Sequence, residues 1–180
     1  MPPLRSKTPS KPPEGRDEID YGRPAGEDFS PLARDRVPVR SMTPDDLAAI
    51  VRIDSRITGR SREGYYRRKL VEAMGESAVR VSLVAELERE VAGFIMARVD
   101  FGEFGHTEPE AVIDTIGVDP GYGHMGVAQA LVSQLMANLA ALRVERVRTE
   151  VDWNHFALLG FLERLGFRPH RRLALRRVVG

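Results

Sequence analysis

A chain of 180 residues with 42% hydrophobic content is long enough for one domain with its own core and too short for two of ordinary size. Lys and Arg number 27 against 26 Asp and Glu, and the net charge of +1 leaves no broad positive field of the kind that phosphate-backbone binding needs, so nucleic acid is not an expected partner. Cysteine is absent, which excludes disulfides, thiolate metal sites and a Cys nucleophile; with no apolar signal region and no run of about 18 apolar residues, neither export nor a membrane span is expected, and the chain reads as cytoplasmic.

Residues 1–36 hold seven of the twelve prolines among scattered charges and few large apolar groups. Such a stretch cannot bury enough surface to offset the entropy of ordering, so it reads as a disordered leader, with the folded domain at 37–180. Val37-Pro38-Val39-Arg40 reads as a short edge strand. Thr43-Pro44-Asp45-Asp46 then supplies a cap, an N1 proline and first-turn acids for a helix to about Ile57, which Thr58-Gly59-Arg60 stops. A second helix runs from Ser61 to Gly75 on the spacing of Tyr66, Leu70 and Met74. Three sequential antiparallel strands follow at 79–87, 91–101 and 111–118, with a loop at 102–109 between the last two. After a glycine-rich turn at 121–126, Val127, Leu131, Leu135, Leu139 and Leu142 mark a long amphipathic helix. A strand at 147–151, a helix at 154–165 and a closing strand at 173–179 complete an α/β sandwich, a mixed and mostly antiparallel central sheet flanked by helices.

The chemistry concentrates where the strand ending at Val118 turns into the long helix. Gly121, Gly123 and Gly126 let backbone approach a ligand closely, and the unpaired N–H groups and positive dipole end of the helix suit a diphosphate. The same glycines also suit a plain tight connection. The spacing is not G-x-G-x-x-G, because the third position falls on Ala128, and the earlier strands look antiparallel, so a dinucleotide enzyme is disfavoured. His106, His124, His155 and His170 are scattered without an i, i+4 pair, so no metal is expected.

The run Val118, Pro120, Gly126, Ala128 resembles the coenzyme A motif of the GNAT superfamily of acetyltransferases, with Gly123 at the position normally held by Gln or Arg. The strand at 147–151, Asn154, and a helix ending Leu165-Gly166-Phe167 resemble the family's pantetheine-flanking segment. The resemblance spans 37–180 and implies an N-acetyltransferase that moves the acetyl group of acetyl-CoA to a primary amine, on a small molecule or a peptide. A non-catalytic acyl-CoA sensor on the same fold is the alternative. Coenzyme contacts are then expected from Ile116, Gly117 and Val118, from Gly123, His124, Met125, Gly126, Val127 and Ala128, and from Asn154, which alternatively serves as a helix cap. His124 reads either as a donor or as a solvent-facing spacer.

In such a site a backbone N–H of 116–118 polarises the thioester carbonyl, and a nearby carboxylate takes the amine's proton. Asp114 is the first candidate base, since strand alternation places it on the face of Ile116; Glu110, Glu103 and Asp100 follow. The family's tyrosine acid falls on Leu162 or Phe161, neither of which can donate, and Tyr122 and His155 are the substitutes by proximity. Arg60, Arg62, Tyr65 and Tyr66, between and within the first two helices, are candidate contacts for a carboxylate-bearing acceptor, or else a solvated face. Family members are often dimers, so a homodimer is among the expected states.

Overall fold

Local sequence signals start each element of the computed structural model, which describes residues 36–74, 81–101, 108–170 and 177–178. The leader and the closing strand expected at 173–179 lie, apart from residues 36, 177 and 178, outside the described residues, as does the loop at 102–107. Strand β1, Val39–Ser41, leads to a 3-10 turn at Pro44–Asp46 and on into helix α1, Leu47–Thr58. The buried Asp46 carboxylate fixes this entry, accepting the Thr43 N–H at 2.7 Å and two Arg40 N–H groups at 2.8 Å. Gly59, at φ +72°, ends α1 in the left-handed conformation that glycine adopts without a steric penalty. Helix α2 is Glu63–Met74.

Strands β2 (Leu83–Leu87), β3 (Glu90–Phe101) and β4 (Pro109–Val118) form a meander, helix α3 covers Val127–Ala141, and β5 (Arg146–Thr149) precedes helix α4, Phe156–Arg164. The sheet order is β1-β2-β3-β4-β5, antiparallel except for the parallel β4–β5 pair. This is the mixed sheet expected from the sequence. Strand β4 begins earlier than expected, since Pro109 and Glu110 already pair with Phe101 and Asp100; a proline at the first position of a strand costs no ladder bond. Helix α4 begins later, with His155 rather than Asn154 at its cap. Among the described residues no helix is long and apolar enough to cross a membrane.

Two apolar layers sandwich the sheet. One packs Leu131, Leu135 and Leu139 of α3 on Leu83, Ile95 and Ile113; the other packs Ile50 and Ile53 of α1 and Tyr66 and Leu70 of α2 on Val84, Phe94 and Met96. Helix α3 lies so close at its start that a β-carbon on Gly93 would stand 2.6 Å from Val127 Cγ1 and 3.0 Å from the Gly117 carbonyl oxygen. On the other face the buried Asp54 of α1 joins the helices: Arg62 Nε donates to its Oδ2 at 2.9 Å, Arg62 Nη2 to its Oδ1, and the Tyr66 hydroxyl to Oδ1 at 2.9 Å.

The Arg62 hydrogen bond, opposed by burial and aided by Tyr66, holds the Asp54 carboxyl below its ordinary pKa of 3.8. A depressed native pKa contributes stability that is present above the ordinary carboxylate range and lost as pH falls through the native value. Asp54→Asn should therefore cost about 2 kcal/mol at neutral pH, by leaving Arg62 and Tyr66 imperfectly partnered, and should flatten the acid limb of the stability profile. Urea unfolding at neutral pH and at about pH 3 checks both.

Candidate active site

Across their paired stretch, 109–118 against 93–101, β4 carries one residue more than β3. Met96 pairs with Thr115 and Ala97 with Ile113, so Asp114 is left opposite no residue of β3. A bulge of this kind exchanges the faces of the residues beyond it. Ala111 and Ile113 below it and Ile116 and Val118 above it all pack on the α3 layer, although the first pair is odd-numbered and the second even. The expectation that Asp114 shares the face of Ile116 is thereby corrected. Asp114 turns to the α2 side, where Arg98 Nη1 and Lys69 Nζ, the latter at 3.6 Å, are its ion-pair partners.

The parallel pairing of β4 with β5 also ends at this point. Its last pair is Ile113 with Thr149, closed by the Thr149 hydroxyl donating to the Ile113 carbonyl at 3.0 Å. Among the described residues, β4 from Asp114 to Val118 has no strand partner on that side. Every second backbone N–H of the segment therefore lies on an edge with no strand partner among the described residues. On the other face the Phe94 ring packs so close to Gly117 that a β-carbon there would meet it at 2.7 Å.

Beyond Val118 the chain is tied down twice. The Asp119 N–H donates to Ala92 O at 2.8 Å, and the Asp119 carboxylate, 1% exposed, accepts Gly121 N–H at 3.0 Å and Arg56 Nη1 at 2.7 Å. Pro120–Tyr122 forms a 3-10 turn; Tyr122 packs its ring on the α3 layer and donates its N–H to Asp119 O at 2.8 Å. Gly123, His124 and Met125 are exposed, and His124 takes φ +63°, a left-handed conformation that histidine tolerates better than most residues. Gly126, at φ +81°, is the cap of α3 and makes no side-chain capping bond. The first intrahelical bond runs from Ala130 N–H to Gly126 O at 2.9 Å, so the N–H groups of Val127, Ala128 and Gln129 are free of helical partners. This donor set, with the positive helix end behind it, fits a diphosphate and needs no cationic side chain.

The remaining expected residues are dispersed. Asn154 is exposed in the turn before α4, beside Asp152, whose carbonyl accepts His155 N–H at 2.9 Å. Leu162 is buried and Phe161 packs on the core. Arg60 is exposed just past Gly59, whereas Tyr65 stacks edge-on to Tyr66 at 5.1 Å. Arg62 belongs to the Asp54 pair. The sequence reading did not single out Arg56, Asp119, Lys69 or Arg98. For Asp119 a local signal exists, because Asp-Pro-Gly is an Asx-turn signature; the other three reach the site only through tertiary packing.

Comparison with known proteins follows the same lines. Residues 47–167 match the Acetyltransferase (GNAT) family. A transcriptional regulator from Bacillus halodurans C-125 superposes with a TM-score of 0.67 at 19% identity, covering 78% of this chain and 99% of its own. An aminoglycoside N-acetyltransferase in complex with CoA gives 0.66 at 16% identity, with coverage of 79% and 94%. The ribosomal-protein-S18-alanine N-acetyltransferase from Escherichia coli gives 0.61 at 24% identity, with coverage of 73% and 77%. With its split sheet, glycine-capped helix and family match over most of its length, the chain belongs to the GNAT family of acetyltransferases.

Proposed function

We propose that this protein transfers the acetyl group of acetyl-CoA to an amine, with the coenzyme's diphosphate on the start of α3 and its thioester in the cleft between β4 and β5. The observation that carries the reading is the junction itself: a helix start with free N–H groups, capped by a glycine at φ +81°, directly follows a strand whose edge has no strand partner past Ile113 among the described residues. Acetyl-CoA supplies an activated acyl group; the protein's own part is to bind, orient and move protons.

Val127, Ala128 and Gln129 N–H groups, with Gly126 leaving the approach open, hold the diphosphate. The cleft-side N–H groups of 116–118 polarise the carbonyl as the amine adds, and they do so without reorganising. Asp114, at the mouth of the split and on the α2 side, takes the proton from the incoming amine. Its present partners are cations, Arg98 and Lys69, so an acceptor ammonium replaces one favourable contact by another of the same kind. Tyr122, in the turn between strand and helix, is the proton donor to the leaving sulfur, which as a thiolate of pKa about 8.5 departs readily even without one. Asn154 contacts the pantetheine arm, and Arg60 and Tyr65 contact the acceptor. The neighbours' names support both a small-molecule amine and a peptide amine, since one acts on an aminoglycoside and another on a ribosomal-protein alanine.

Titration of acetyl-CoA and free CoA by calorimetry, followed by thiol release against a panel of amines and peptides, tests the proposal. Binding with release is expected; binding without release would favour an acyl-CoA sensor, and absence of binding would overturn the reading. Asp114→Asn should reduce turnover at neutral pH by about a hundredfold and leave coenzyme affinity within a factor of about two, measured by steady-state kinetics beside calorimetry. Gly126→Val should weaken acetyl-CoA binding by about tenfold, because a branched residue at φ +81° costs roughly 1–2 kcal/mol and the cap shifts to relieve it. Gly93→Ala should weaken binding without touching the turn, by lifting Val127 and the first turn of α3.

A further inference from the structure

Of the 27 lysines and arginines in the chain only three are lysine, at positions 7, 11 and 69. Lys69 is thus the single lysine after residue 11. Elsewhere in the domain, arginine partners the carboxylates: Arg40 pairs with Asp46, Arg62 with Asp54, Arg56 with Asp119, and Arg98 and Arg148 with Asp100. Lys69 stands on α2, its side chain 26% exposed, with Nζ 3.6 Å from Asp114 Oδ2 and 3.0 Å from Glu72 Oε2. If Asp114 needed only a positive neighbour, Arg98 already provides one. What lysine adds is an amine that can give up its proton and be acylated, which a guanidinium cannot do.

We propose that Lys69 is itself an acetyl acceptor, modified by the enzyme's own acetyl-CoA through the same Asp114. This rests on the acetyl-CoA reading above. Asp114 Oδ2 takes one proton from the Lys69 ammonium. The freed nitrogen pair forms the N–C bond at the thioester carbonyl, the C–S bond breaks, and the sulfur carries away that bond's electrons. Of the two protons the nitrogen loses, one ends on the sulfur as free thiol and the other in water. The product, a neutral amide, removes one of the two cations that face Asp114. The Glu72 hydrogen bond, opposed by burial and aided by Asp114, raises the Lys69 pKa above its ordinary 10.5, so the modification is slow beside turnover on a free amine.

Incubation of the full chain with acetyl-CoA, digestion at arginine and mass mapping of all three lysines tests the proposal, since Lys7 and Lys11 report spontaneous acetylation in the same tube. Lys69 should be acetylated more than about tenfold faster than either, through proximity, at a rate per molecule independent of protein concentration. Asp114→Asn should slow Lys69 about a hundredfold and leave Lys7 and Lys11 unchanged. Lys69→Arg, which keeps the charge beside Asp114 and Glu72, should abolish the fast label. Acetyl-CoA bound in calorimetry with Lys69 unlabelled, or labelled no faster than Lys7 and Lys11, would overturn this inference and leave the transferase reading standing. No acetyl-CoA binding would overturn both.

Discussion

The extra residue in β4 governs the arrangement around it, because side chains on a strand alternate with a period of two and a single insertion exchanges the faces for all that follows. Below Asp114, β4 is an inner strand with neighbours on both edges; above it, among the described residues, the strand keeps only β3. The same residue that breaks the register with β3 is the first one past the last β4–β5 pair. One insertion thus sits where the β4–β5 pairing ends, lays Ile116 and Val118 on the α3 layer, and points a carboxylate at the α2 side.

An open strand edge is useful only if the turn that follows it is held at a fixed distance. Two contacts do this from opposite faces of the sheet. The Asp119 carboxylate is buried, which is costly unless it is partnered; Arg56 and Gly121 N–H donate to it, while the residue's own N–H is held by Ala92 O. Replacing it by an apolar residue would free Gly121 and Arg56 together, and so loosen the 3-10 turn. On the α3 side, Gly93 lets Val127 settle against the sheet, which sets the depth of the helix start. The site's precision therefore comes from a buried carboxylate paired with a half-exposed arginine behind the turn and a missing side chain beneath it, neither of which needs to touch a ligand.

Most of the fold was legible in the sequence because its signals are local. Thr43-Pro44-Asp45-Asp46, Gly59, the Val127-to-Leu139 spacing and Gly166-Phe167 each mark an element end or face by short-range chemistry, and Gly126 at φ +81° is where the turn reading placed the helix start. The bulge was not legible. Ile113-Asp114-Thr115-Ile116 carries no glycine or proline, and its register is settled by pairing with β3, some sixteen residues back along the hairpin. Alternation applied across it therefore gave the wrong face for Asp114. The arrivals of Arg56, Lys69 and Arg98 at the site share that cause, since each comes from an element distant in sequence. Gly93 reads locally as a weak spot in a strand, and only the approach of α3 explains it.

The two faces of β4 also account for a fold shared with proteins of 14% to 24% identity. The side proposed for the coenzyme is built from backbone: N–H groups, a helix start and glycines, which many sequences can provide. The opposite side is built from side chains, and here it is an alternation of charges, Lys69, Asp114, Arg98, Asp100, Arg148 and Glu110, linked in consecutive pairs. Such a network has little net field of its own, so it attracts neither cations nor anions from a distance. In the proposed reaction, selection among acceptors then comes at contact, from how well an incoming group replaces the partner it displaces. An ammonium that meets Asp114 in place of Lys69 restores the pairing, whereas a neutral or anionic group leaves a half-buried carboxylate short of a partner.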